Sequence, residues 1–128
     1  MIVNTGKLVL LGFQLTDLSS CLWALFTNNF TVTNATVLAS LVEAAWTGYA
    51  RQAVGALNAP TLTANVATTT PTTNPTFTNT SGVSQSFYGW MLLDSAGTTL
   101  IAAVNLGANT IPDGGLFPLA PTITDNQA

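Results

Sequence analysis

The spacing of apolar and polar positions changes character several times along this chain. "LVLLGF", Leu8 to Phe13, is apolar on both faces. That suits a strand buried on both sides or a segment packed against a neighbouring subunit. Residues 1–18 are therefore read as an N-terminal arm or strand, with Asp17, Ser19 and Ser20 marking a turn. "CLWALFTNN" places Leu22, Ala24 and Phe26 on one face and Trp23 and Leu25 on the other, which predicts a core strand ending at Asn28-Asn29. Then the period lengthens. Val37, Leu38, Leu41 and Val42 recur at helical intervals and Trp46 continues the stripe. With Asn34 or Thr36 as N-cap and Gly48 as a stop, the spacing predicts a short helix near residues 36–45. "YARQAVGAL" returns to alternation, with Tyr49, Arg51 and Ala53 opposite Ala50, Gln52 and Val54.

Alternation governs the remainder. "TLTANVAT" reads as a strand. The prolines of "TTTPTTNPT" exclude a central strand and predict a Thr/Pro-rich loop at about 67–76. "TFTNTSG" is a short strand closed by a turn. "SFYGWMLLD" is a strong strand, "DSAG" a hairpin turn and "TTLIAAVNL" the returning strand. "GANTIPDGG" reads as turns and "LFPLAPTIT" as a last extended segment. About seven short strands and one short helix predict a mainly all-β fold, a β-sandwich or jelly-roll-like single domain over residues 19–128.

Composition sharpens this picture at one point. Charged residues make up 5% of the chain, against about 25% in ordinary soluble domains. The surface must be covered by Thr, Asn, Ser and Gln, or by other protein. Lys7 and Arg51 are the whole basic complement, against five acids, for a net charge of −3. Two cations cannot neutralise a run of phosphates or form a polybasic patch, so nucleic-acid and anionic-membrane binding are excluded. The apolar runs near the N-terminus are too short to span a bilayer, and no signal-peptide layout is apparent. Cys21 is the single cysteine; it cannot form an intrachain disulfide, and its apolar setting marks it as a small buried hydrophobe. Sequons occur at Asn29, Asn34 and Asn79, as expected by chance in a chain this rich in Asn and Thr.

Histidine is absent. That removes Ser-His-Asp and Cys-His catalysis and most zinc sites. Asp17, Glu43, Asp94, Asp113 and Asp125 are isolated from one another in sequence. Asp94 in "DSAG" and Asp113 in "PDGG" are explained as turn formers, and one carboxylate is too few for a calcium loop. The residues predict a protein that is not an enzyme and holds no metal or cofactor. The enzymatic alternative, glycan hydrolysis, needs two of these carboxylates to meet in a cleft. Trp46, Tyr49, Phe87, Tyr88 and Trp90 are read as core and interface aromatics, with a sugar-stacking platform as the competing role.

"WTGYARQAV", Trp46 to Val54, holds Arg51 between aromatics and beside Gly48. A guanidinium taken from water needs a partner and full hydrogen bonding. Glu43 is nearest in sequence, with Asp94 and Asp17 as further candidates. Three roles remain open: an internal pin on a carboxylate, a pairing across subunits, and a ligand-binding group. The planar fork suits all three.

Several pieces taken together carry a resemblance. "LWALFTNNFTVTNAT", "GYARQAV", "FTNTSGVSQSFYGWMLLDSAGTTLIAAVNL" and the "GGLFPLAPTIT" run resemble small virion structural proteins of tailed bacteriophages, most of all capsid decoration (cement) proteins. Tail-fibre-associated proteins share a similar layout. The resemblance covers roughly residues 20–124 and rests on short apolar motifs. It implies a β-rich domain on the capsid surface that forms homo-oligomers, often trimers, and binds the major capsid protein or other virion proteins. It brings no catalytic residues. The alternative it leaves is a tail or fibre module that binds host glycans through Trp46, Tyr49 and Trp90. Candidate structural and interface residues are Glu43, Trp46, Gly48, Tyr49, Arg51, Tyr88 and Trp90.

Overall fold

A computed structural model describes residues 18–59, 61–63 and 66–126. The expected N-terminal arm lies outside them except for Leu18, which is buried. The strands run in the order β1 (Leu22–Phe26), β2 (Gln52–Ala53), β3 (Thr61–Thr63), β4 (Val66–Thr69), β5 (Thr76–Thr78), β6 (Gln85–Leu93), β7 (Leu100–Ile111), β8 (Leu116–Pro118) and β9 (Ile123–Asn126). They form an antiparallel central sheet β2-β1-β6-β7, a three-stranded sheet β3-β4-β9 and a β5-β8 pair. The chain is an all-β domain.

The central sheet is buried on both faces, which explains why β1 and the end of β6 read as near-continuous apolar runs. Trp23, Leu25, Trp90, Leu92 and Ile101 share one core with Phe77, Leu119 and Ile123 from the outer strands. Ala24, Phe26, Met91, Leu93 and Ala103 form a second core on the other face. The segment after β1 closes it with Phe30, Val32, Leu38 and Leu41. At Gly89 a side chain would overlap the Val104 carbonyl and the Phe26 ring, so only glycine lets that ring lie on the β6–β7 ladder.

Three expectations are corrected. The helix near 36–45 is a single 3-10 turn, Leu38–Ser40. Its apolar stripe does not face one way: Leu41 is buried, whereas Val37 and Val42 are about half exposed. The Asn28 side chain takes over the local backbone, donating to the Ser40 carbonyl and accepting from Val42 N. Residues 42–44 then extend along β1, with Thr27 N donating to Val42 O and Ala44 N to Leu25 O. Tertiary pairing outweighs a weak helical propensity.

The second correction concerns "GANTI", which continues β7 to Ile111. Its glycine signal marks a bulge: Leu106, Gly107 and Ala108 stand opposite Tyr88 alone, between the Phe87↔Asn109 and Gly89↔Asn105 pairs. Asn105 Oδ1 accepts from Gly107 N at 2.7 Å, an Asx turn inside a strand. Third, the Thr/Pro-rich loop shortens to 70–75, because β4 reaches Thr69 and β5 starts at Thr76.

Candidate functional site, an ion-paired clasp on a strand edge

One edge of β1 pairs with β6 along its whole length, from Leu22↔Leu93 to Phe26↔Gly89. Two short segments share the other edge. Ala53 and Gln52 lie opposite Leu22 and Trp23. Glu43 bridges Phe26, and Val42 and Ala44 bond to Thr27 and Leu25. Between these segments the chain loops away, and Leu25 N–H is left without a carbonyl opposite it. The Tyr49 hydroxyl fills the gap, accepting from Leu25 N at 3.1 Å. Leu25 is fully buried, and an unpaired N–H there would carry its whole desolvation penalty.

Tyr49 is held at both ends. Its ring stacks on Phe77 at 5.9 Å and 11° and meets Trp46 edge-on at 5.4 Å. Its hydroxyl donates to Glu43 Oε1 at 3.0 Å. Arg51 grips the same carboxylate with two bonds, Nε to Oε1 at 2.8 Å and Nη2 to Oε2 at 2.7 Å, the fork geometry that lysine cannot reproduce. The third nitrogen, Nη1, donates to Gly97 O at 3.3 Å. Gly97 sits in the β6–β7 turn at φ +72, and a Cβ there would overlap Nη1. Arg51 thus links the edge segments of β1 to the turn beyond β6.

The loop carrying Tyr49 is also tied to the segment running from β5. Trp46 Nε1 donates to Thr78 O, Thr78 Oγ1 to Gly48 O, and Thr80 N to Thr47 O. Gly48 adopts φ +90 with Thr80 directly against it.

The electrostatics follow from this geometry. The hydrogen bonds from Arg51 hold the Glu43 carboxyl below its ordinary range, against the opposing effect of burial. Its bonds to Glu43 push the Arg51 guanidinium up. Burial pushes the Tyr49 phenol well above its ordinary value, so it stays a neutral donor and acceptor. The Arg51 and Glu43 side chains are 34% and 28% exposed. A pair this wet contributes modestly to stability; its main effect is to fix where Tyr49 and residues 42–44 sit.

The structure therefore brings five of the seven sequence candidates together: Glu43, Trp46, Gly48, Tyr49 and Arg51. The partner of Arg51 is in its own chain. Trp90 stands apart in the core, 4% exposed, its ring perpendicular to Trp23 at 5.2 Å. Tyr88 packs against the opposite core. Trp46, Tyr49 and Trp90 all pack with the first core and do not form a common exposed platform.

Asp94 and Asp113 lie in the turns at opposite ends of β7. Asp94 Oδ1 accepts from Thr98 N and Thr99 N. Burial pushes this carboxyl up, but the bonds from Thr99 and Thr98 bring it net below its usual range. Asp113 Oδ1 accepts from Gly82 N. Among the described residues no three His, Cys, Asp or Glu side chains gather as a metal site.

One structural residue escaped the sequence reading. Asn79 is fully buried. Its Nδ2 donates to Val83 O and Ile111 O, and its Oδ1 accepts from Ser81 N and Ser81 Oγ. Its only signal was the turn composition of "NTSG". At this position the sequon is closed to a glycan in the folded chain.

Comparison with protein-family models, with curated proteins and with solved structures found no match to this chain.

Proposed function

We propose that this chain is a non-enzymatic virion structural protein, a capsid decoration subunit that associates with itself and with the major capsid protein of a tailed phage. The surface carries the reading. With 5% of residues charged, Val37, Val42, Val83, Leu106 and Leu116 are between 43% and 62% exposed. Apolar and neutral polar groups at this density suit a face shared with other protein, since interface cores are depleted in charge. The site described above supports the same reading. The bonds recorded for Glu43, Tyr49 and Arg51 all run to groups of their own chain, which suits a structural element.

The test is location and binding. Labelled antibody against the protein should decorate heads in intact particles, and purified protein should co-sediment with capsids stripped of it. Label on the tail would transfer the protein to the fibre apparatus. Absence from particles would overturn the virion reading altogether.

A further inference from the structure

In the central sheet β2-β1-β6-β7 the last strand stands at the rim, with β6 on one side and no described strand on the other. A rim strand leaves a row of N–H and C=O groups to water, so its residues keep some exposure even where both faces are covered. The first part of β7 does not. Leu100, Ile101, Ala102 and Ala103 are 2%, 0%, 3% and 0% exposed. Leu100 and Ala103 each make a further interaction, and their aliphatic side chains leave only the main chain to make it. The cover ends soon after. Val104 and Asn105 are partly buried, and Leu106, Gly107 and Ala108 are exposed. An open groove of about 320 Å³ begins there, between Thr31-Val32 and Ala103 to Asn105. A length of chain must therefore lie along residues 100–103.

Connectivity narrows the choice. Outside the described residues are only 1–17, 60, 64–65 and 127–128. Residues 60 and 64–65 are tied beside β3 and β4. Two residues after β9 are too few to cover four residues of strand, about 13 Å. Only the first segment is long enough, and it leads from the right place. Leu22 pairs with Leu93, and Leu93 with Leu100, so the chain enters β1 at the end of the sheet where β7 begins. Leu18 is already packed in the first core. A strand beyond β7 stands three strand spacings from β1, about 14 Å, and residues 14–21 reach up to about 26 Å. The sequence fits as well, since Leu8, Val9, Leu10 and Leu11 form a run apolar on both faces, as a strand of a sheet covered on both faces requires.

We infer that residues 8–13 of the same chain lie along residues 100–103 as a fifth strand of the central sheet and close its rim. The direction is antiparallel. β1 and β7 both run away from their shared end of the sheet, so a segment that returns to that end to enter β1 runs against β7. The chain's own arm is the occupant because so short a tether holds it at an effective concentration in the millimolar range, above that of any second copy in dilute solution. The closed rim removes from the sheet its longest edge open to pairing with another chain. This inference stands apart from the virion reading, and its test needs no particle.

The experiment has two parts, both on the full chain. The first is a nuclear Overhauser measurement on wild type, with isotope filtering of a mixture of labelled and unlabelled protein. Contacts between the main chains of residues 8–11 and 100–103 are expected within one chain. Their absence, or their appearance only between chains, overturns the inference. The second is hydrogen exchange read by mass spectrometry on wild type, Val9→Pro and Leu10→Pro. Neighbouring residues point their N–H groups to opposite sides, so one of the two prolines removes an N–H that faces β7. Peptides covering residues 100–103 should exchange at least about tenfold faster in that variant, while those covering β4 and β9 stay unchanged. Exchange at 100–103 unaltered in both variants overturns the inference. If a proline variant fails to fold, the contacts measured in wild type decide alone.

Discussion

Replacing Tyr49 by Phe isolates a single hydroxyl. The ring remains, and with it the stack on Phe77 and the edge contact with Trp46. Two bonds are lost: the one accepted from Leu25 N and the one donated to Glu43 Oε1. Their consequences differ. The Glu43 side chain is 28% exposed and recruits water in place of the phenol, so that loss is small. Leu25 is fully buried, and its N–H stays unpaired at a cost of about 1–3 kcal/mol. Tyr49→Phe should therefore destabilise the domain by about 2 kcal/mol, a fall in Tm of roughly 6–10 °C for a chain of this size. Urea titration at neutral pH reads the free energy directly, with an unchanged m-value as the check that the folded state is intact. Native-state hydrogen exchange adds a residue-level readout, because the Leu25 amide should exchange faster in the variant. A free-energy change below about 0.5 kcal/mol, within the range of ordinary surface substitutions, would refute the view that the Tyr49 hydroxyl completes the β1 ladder.

Arg51→Lys should cost about 1 kcal/mol, since one ammonium replaces two parallel bonds to Glu43 and the reach to Gly97 O is lost; an unchanged urea midpoint would count against the clasp. The folded state lowers the carboxyl values of both Glu43 and Asp94. Their stabilising contribution is present above the unfolded-state values and is lost as pH falls through the lower, folded-state values. Thermal melts should accordingly show stability dropping on the acid side, with a shallower drop in Glu43→Gln, where only Asp94 remains of the two. Gly97→Ala should cost about 2 kcal/mol or more, because it combines a strained positive φ with displacement of the Arg51 guanidinium; a double variant with Arg51→Ala should cost less than the sum of the two singles. Asn79→Ala strands the Ile111 carbonyl and the Ser81 N–H, and should lower stability by about 2–4 kcal/mol in the same urea assay.

Much of this architecture is already present in the order of residue types. The apolar runs over 22–26 and 89–93, with "DSAG" before the returning strand, are enough to place the β1, β6 and β7 core, because strands apolar on both faces must be covered on both. The absence of histidine and the scarcity of charge are legible without reference to any fold. They also leave Glu43 as the carboxylate nearest Arg51 in sequence. What sequence order could not supply is the competition between a helix and a strand edge for residues 36–45. Helical spacing there is real, but Asn28, several residues upstream, captures the backbone at Ser40 and Val42, and local periodicity does not register so distant a competitor. The role of Tyr49 is hidden in the same way. That its hydroxyl stands in for a ladder acceptor depends on β1 being shared by two segments that stop short of each other, a gap created by pairing between residues far apart in the chain. Residue types set which groups are buried and which are charged; only the tertiary pairing decided which of their hydrogen bonds remained to be made.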